Sequence, residues 1–222
     1  MGQALVDQHV QSWTGALRAW VIRAGRPIHK RLRQEKRKLF FSLTANSERN
    51  TLLDVGGGTG IDSEFVPLYE AFREVTVVNL DPSGDRHPLP HVRRMVGNGC
   101  CLPFADRSFD WVFSNAVVEH VGGIEEQRKF AAEISRVAKC GYFVTTPNKF
   151  FPIEPHTLLP LYQSLPEHWQ RKVLRISPYY VHVYERIRLL GARDLRNLFP
   201  GATIVSTGFP IVGTSLVATR AE

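Results

Sequence analysis

Glycines at a strand end, a helix start beyond them and a carboxylate on the next strand can together hold a ribose-bearing ligand. All three occur between Thr51 and Asp81. The run Thr51-Leu-Leu-Asp-Val-Gly-Gly-Gly-Thr-Gly60 leads an apolar strand into a turn with glycines at Gly56, Gly58 and Gly60. A side chain in such a turn would block a ligand's approach to the backbone, and the turn itself favours residues that tolerate positive φ. The helix start beyond it offers unbonded N–H groups to a polar or anionic ligand. Asp81 closes the second strand, where a carboxylate can accept hydrogen bonds from both ribose hydroxyls. Two ligand classes fall away. A dinucleotide fingerprint wants glycine where Ile61 stands, and the Gly-Lys-Ser/Thr of a triphosphate loop is absent. A ligand with a ribose and no pyrophosphate fits.

These residues need a parallel sheet to position them. From Thr51 onward short apolar runs alternate with helical stretches, the signature of an α/β fold. The pattern predicts strands at Thr51–Val55, Val75–Leu80, Arg94–Val96, Trp111–Ser114, Tyr142–Thr146, Ala202–Ser206 and Ser215–Thr219. Helices are expected over about Ser63–Arg73, Glu125–Ala138 and Ala192–Leu198. The stretch from Pro147 to Tyr180 is long for a connection and rich in proline and aromatics, as functional inserts are. The expected architecture is a Rossmann-like, seven-stranded, mostly parallel sheet with N-terminal helices. Residues 1–50 form a basic helical segment, and residues 51–222 a ligand-binding domain with an insert at about 147–180.

The glycine turn resembles that of class I S-adenosylmethionine-dependent methyltransferases, particularly those that modify small molecules, sugars, quinones and lipids. The likeness continues through Val96-Gly-Asn-Gly-Cys-Cys-Leu-Pro-Phe-Ala-Asp-Arg-Ser-Phe-Asp-Trp-Val112 and Val118-Glu119-His120-Val121. It is strong over about 51–147 and looser over 183–220, where Leu198-Phe-Pro-Gly-Ala202 precedes two apolar runs. The resemblance implies S-adenosyl-L-methionine as cofactor. Asp54, Gly56, Gly57, Gly58, Thr59 and Gly60 would contact its amino-acid part. Asp81 would hold the ribose, and Asn98, Gly99 and Cys100 would lie along the adenine. Ser114, Asn115 and Ala116 would face the methyl group and the acceptor. Asn98 departs from the family's usual Asp, but its carbonyl can still accept from the adenine amino group.

Methyl transfer from a sulfonium is an in-line displacement, so alignment carries most of the catalysis. A base is needed only where the acceptor must lose a proton. His120, beside Glu119 after the fourth strand, and His156, in Glu154-Pro-His156 of the insert, are the candidates. Tyr179, Tyr180 and His182 form a weaker group. Methyltransferases acting on base or Gln amino groups resemble one another in an N/D-P-P-Y/F motif, and Ser114-Asn-Ala-Val117 stands in its place. No Pro-Cys pair offers the thiol used in cytosine C5 methylation. The expected acceptor is therefore a small molecule, a glycan or a lipid-linked precursor methylated on oxygen, with C-methylation of a lipid or quinone next. Nucleic acid is disfavoured, so an RNA-directed enzyme ranks behind both, as does a non-catalytic cofactor-binding module.

Charge separates the N-terminal segment from the rest. Residues 1–50 hold ten Lys or Arg against three acids, so the +7 of the whole chain sits there and the remainder is neutral. Val6, Val10, Trp13, Leu17 and Trp20 recur at helical spacing on one face. A second helix runs from Pro27 to about Thr44, with Ile28, Leu32, Leu39 and Leu43 on one side. Arg31, Arg33, Lys36, Arg37 and Lys38 crowd its other, solvated faces. Two roles follow for this segment: a lid over the pocket, and docking on an anionic membrane surface. No apolar run reaches the roughly 18 residues of a membrane span, and no signal peptide is expected. Three cysteines, two adjacent, suit neither a disulfide framework nor a zinc site. No metal is expected, and the expected location is cytoplasmic, with peripheral membrane attachment through residues 1–50.

Overall fold

The computed structural model describes residues 23, 27–28, 30–45, 49–57, 65–80, 89–153, 161–162, 165–166, 168–169, 187–209 and 212–221. It divides into one unit of residues 1–32 with 151–183 and a second of 33–150 with 184–222. In the first unit the Leu161 N–H donates to the Pro152 carbonyl at 2.7 Å. The second unit carries the sheet.

Seven strands build that sheet: β1 (Thr51–Val55), β2 (Glu74–Asn79), β3 (Val92–Val96), β4 (Phe109–Asn115), β5 (Ala138–Pro147), β6 (Thr203–Thr207) and β7 (Ser215–Ala221). Their order is β3-β2-β1-β4-β5-β7-β6. The first five run parallel, and β7 lies antiparallel to both β5 and β6. Strand order reverses between β1 and β4, and the crevice beyond the carboxyl ends of such a pair is where open α/β sheets bind ligands. The two strands are almost wholly buried, as central parallel strands are, with Asp54, Asp110 and Ser114 among their buried residues.

Helices cover both faces. On one, α3 (Ile124–Val137) presents Phe130, Ile134 and Val137, joined by Leu195 and Leu198 of α4 (Ala192–Leu198). On the other, α2 (Val66–Glu70) contributes Leu68 and Tyr69, with Phe65 and Phe72 at its ends. The helix over 30–43, α1, adds Phe40 to this second face. The Phe40 ring meets Trp111, Phe113 and Phe143 edge-on, with centroids 5.6, 5.6 and 5.4 Å away.

Strand and helix placement follows the sequence reading closely, with β1 and α4 matching residue for residue. Two differences are informative. β5 starts directly at the end of α3, at Ala138 rather than Tyr142. Lys139, Cys140 and Gly141 carry no apolar signal, yet Gly141 pairs with both Trp111 and Ala221, and a Cβ there would collide with the Arg220 carbonyl. The second difference corrects the reading of α1. Its buried stripe is Lys36 and Phe40, continued by Thr44 just past the helix end, with Leu39 and Leu43 only partly buried and Ile28 50% exposed. Phe40 decides the face because it enters an aromatic cluster, and the lysine one turn before it is carried inward. Lys36 is not solvated.

Candidate functional site

β1 delivers Asp54 and Gly56 to the switch point. Asp54 is buried, and its Oδ2 accepts a hydrogen bond from the Tyr69 hydroxyl of α2. Burial pushes its pKa up to about 6, against the opposing pull of the Tyr69 bond. Gly56 adopts φ +85°, in the left-handed region, and its N–H donates to the Val78 carbonyl at 2.7 Å. A Cβ on Gly57 would stand 2.7 Å from a Val77 methyl and 2.8 Å from Asp54 Oδ2, so the turn lies flat on its supports. Asn79, at the end of β2, donates from Nδ2 to the Gly57 carbonyl at 2.7 Å and pins the turn from the far side. Gly58, Thr59, Gly60 and Asp81 lie outside the described residues.

The turn after β3 places Asn98, Gly99 and Cys100 together. Asn98 Oδ1 accepts the Cys100 N–H at 2.9 Å, so the carbonyl expected to meet an adenine amino group already serves this turn with one lone pair. Gly99 packs on Phe130 and Val55. The Cys100 thiol donates to the Glu126 carbonyl at 3.4 Å, and burial raises its pKa. Arg136 of α3 secures the segment that follows, bonding Glu133, Asp106 and the carbonyls of Leu102 and Phe104. Glu133 in turn accepts the Leu102 N–H at 2.6 Å.

The carboxyl ends of β4 and β5 hold a buried polar group. Ser114 Oγ donates to the Val55 carbonyl at 2.8 Å and stitches β4 to β1. Asn115 Oδ1 accepts from Thr145 Oγ1 at 2.8 Å and from Lys36 Nζ at 3.1 Å. Ala116 follows at φ +56°, a conformation costly to a residue with a Cβ, its N–H bonded to the Thr145 carbonyl. Val117 packs directly over Gly56. Glu119 is fully buried and accepts from Thr146 Oγ1 at 3.0 Å. The His120 Nε2 lies 3.9 Å from Glu119 Oε1, with the imidazole 38% exposed. His156, Glu154, Tyr179, Tyr180 and His182 lie outside the described residues, as do Trp13 and Trp20.

Sequence reasoning overlooked Tyr69, Asn79, Thr145, Thr146 and the true position of Lys36. Thr145-Thr146 left a usable trace: two hydroxyls closing an otherwise apolar strand. Lys36 left one only through its i,i+4 relation to Phe40. Among the described residues no group of His, Cys, Asp and Glu could hold a metal ion.

Residues 53–145 match the family model of a methyltransferase domain. Over 113 residues the chain is 34% identical to malonyl-[acyl-carrier protein] O-methyltransferase 1 of Coxiella burnetii (strain RSA 493 / Nine Mile phase I), covering 51% of this chain and 37% of that protein. The chain thus spans well under half the length of the curated relative it matches. Among solved structures, the putative methyltransferase in complex with the Trm112 activator of Haloferax volcanii is similar at a TM-score of 0.57 and 14% identity, covering 92% of this chain and 96% of that one. Magnesium protoporphyrin IX methyltransferase of Synechocystis PCC 6803, solved with bound SAH, is similar at a TM-score of 0.54 and 15% identity, covering 86% and 83%. The fold is that of the class I methyltransferases.

Proposed function

We propose, from the premise that residues 53–145 form a methyltransferase domain on a class I fold, that the protein transfers the methyl group of S-adenosylmethionine to an oxygen acceptor. The observation that carries this reading is the turn after β1. It lies flat on Asp54 and Val77, latched by Asn79, at the one point where strand order reverses. A Cβ has no room beneath Gly57, and in the sequence the glycines at Gly58 and Gly60 follow it, with Asp81 coming after the second strand. Asp54, Gly56 and Gly57 would hold the amino-acid end, with Gly58, Thr59 and Gly60. Asp81 would hold the ribose, and Asn98, Gly99 and Cys100 the adenine. The bound sulfonium supplies an electrophilic methyl group.

The chain's own residues then have two tasks. Ser114 and Asn115 fix the floor on which acceptor and methyl group align, Ser114 by its bond to β1 and Asn115 by its bond to Thr145. Where the acceptor is an alcohol, a base must take its proton as the oxygen–carbon bond forms and the carbon–sulfur pair stays on sulfur. His120 stands beside the buried Glu119 carboxylate for that purpose, and His156 is the second candidate. The acceptor class is a small molecule, glycan or lipid-linked precursor. An oxygen acceptor is favoured by the name of the Coxiella relative.

Calorimetry tests the cofactor: S-adenosylmethionine and its demethylated product should bind with micromolar affinity, and NAD should not. The acceptor is sought by incubating the protein and labelled cofactor with an extract of the source cell and identifying the labelled product. Absence of cofactor binding would overturn the reading.

A further inference from the structure

One buried cation has no part in the chemistry of the glycine turn or the histidines. Lys36 projects from α1 to the carboxyl ends of β4 and β5, where it is only 8% exposed. Its ammonium donates to Asn115 Oδ1 at 3.1 Å and to Thr145 Oγ1 at 3.5 Å, both neutral acceptors. Two charged groups act on it: Glu119, after β4, favours the ammonium, and Arg33, one turn earlier on α1, disfavours it. Burial outweighs Glu119 and brings the Lys36 pKa down to about 8. A cation stabilised less well by its surroundings than by water gains from an added anion.

Position narrows which anion. Asn115 and Thr145 are paired across β4 and β5, and Val117, two residues beyond Asn115, packs on Gly56. Lys36 therefore stands on the β4–β5 side of the glycine turn. The β2–β3 side, where ribose and adenine are expected, is across β1.

We propose that Lys36 is a carboxylate-binding cation of the methyl-transfer pocket, its ammonium held in place by Asn115 and Thr145. The inference rests on the reading of the pocket as an S-adenosylmethionine site. Two carboxylates could meet it: that of the cofactor's amino-acid end, and that of a carboxylic-acid acceptor. In the second case a carboxylate oxygen attacks the methyl carbon, the carbon–sulfur pair remains on sulfur, and an ester forms with no proton to remove.

Calorimetry on the full chain separates these cases. Wild type, Lys36→Met and Lys36→Arg are titrated with S-adenosylmethionine, with its decarboxylated analogue, and with malonate after saturation by S-adenosylhomocysteine. If the cofactor's carboxylate is bound, Lys36→Met weakens S-adenosylmethionine by about tenfold or more and spares the decarboxylated analogue. Lys36→Arg restores most of that affinity. If an acceptor's carboxylate is bound, both cofactor forms bind the Met variant as they bind wild type. Malonate then binds wild type and Lys36→Arg but not Lys36→Met. Should circular dichroism find the Met variant unfolded, Lys36→Gln against Lys36→Arg provides the same comparison. The proposal is overturned if the neutral variant matches wild type toward all three ligands, or weakens the decarboxylated analogue as much as the cofactor. Wild type that ignores S-adenosylmethionine altogether overturns the pocket reading instead.

Discussion

Asp54 combines a structural cost with a site role in one side chain. Its folded pKa of about 6 stands above the ordinary 3.8, so the native state holds this proton more tightly than the unfolded chain does. The stability tied to that proton is complete below about pH 4 and is lost as pH rises through about 6. At neutral pH the ionised carboxylate then costs about 3 kcal/mol, taking roughly 1.4 kcal/mol per pH unit. Asp54→Asn, whose carbonyl can still accept from Tyr69, should raise the melting temperature at pH 7.5 and lose that advantage near pH 4. A variant no more stable than wild type at pH 7.5 would mean that the ionised carboxylate is better solvated than its burial implies. Asp81→Ala should leave stability unchanged and weaken S-adenosylmethionine at least tenfold, because charge-assisted hydrogen bonds contribute about 1.5–3 kcal/mol each. Unchanged calorimetric affinity would remove the ribose assignment. If the acceptor is an alcohol, alanine at the true base, His120 or His156, should cost about 10²–10⁴ in turnover with cofactor affinity intact. The glycine turn could be proposed from the sequence because its residue types and spacing are local, while Asp54 and Glu119-His120 entered through the family resemblance. Tyr69, Asn79 and Thr145 were not, since each acts through a partner on another element.

Elements were easier to read than faces. Strands buried on both sides give short, mostly apolar runs, and α3 advertises its inner face through Phe130, Ile134 and Val137 at helical spacing. α1 did not, because its aliphatic residues suggest one stripe while an aromatic cluster selects another. Phe40 fills a space bounded by Trp111, Phe113, Phe143 and Phe72, and no local pattern signals that these four rings converge. Phe40→Ala should therefore cost about 3–5 kcal/mol, the range for emptying a buried aromatic site. Ile28→Ala, at a half-exposed position, should stay within about 0.5 kcal/mol. Urea unfolding of both variants decides between the stripes. A larger loss at Ile28 than at Phe40 would contradict the packing of α1. The inward turn at Phe40 has a consequence for Lys36, which shares its face and so reaches Asn115.

Across the whole molecule the charge is lopsided, with the entire +7 in residues 1–50. Part of this asymmetry belongs to the site rather than to the surface, since Lys36 is buried at β4 and β5. Of the other cations on α1, Lys30, Arg31 and Lys38 are exposed, and Arg33 and Arg37 are intermediate. No helix among the described residues is long and apolar enough to cross a membrane, so any membrane association of this segment would have to be peripheral. Each Lys or Arg at an anionic bilayer surface contributes about 1 kcal/mol, and four such residues suffice for reversible attachment at low salt. Salt weakens that attraction, because exposed charges more than about a Debye length apart are screened. The protein should co-sediment with phosphatidylserine-containing vesicles at low ionic strength, release them as salt is added, and ignore neutral vesicles. Changing Arg31, Arg33, Arg37 and Lys38 to Gln should abolish sedimentation and leave S-adenosylmethionine binding intact. Lys36→Met separates site from surface, because a buried lysine cannot meet a bilayer; vesicle binding should survive it. Wild type that stays in the supernatant with anionic vesicles at low salt would end the docking idea.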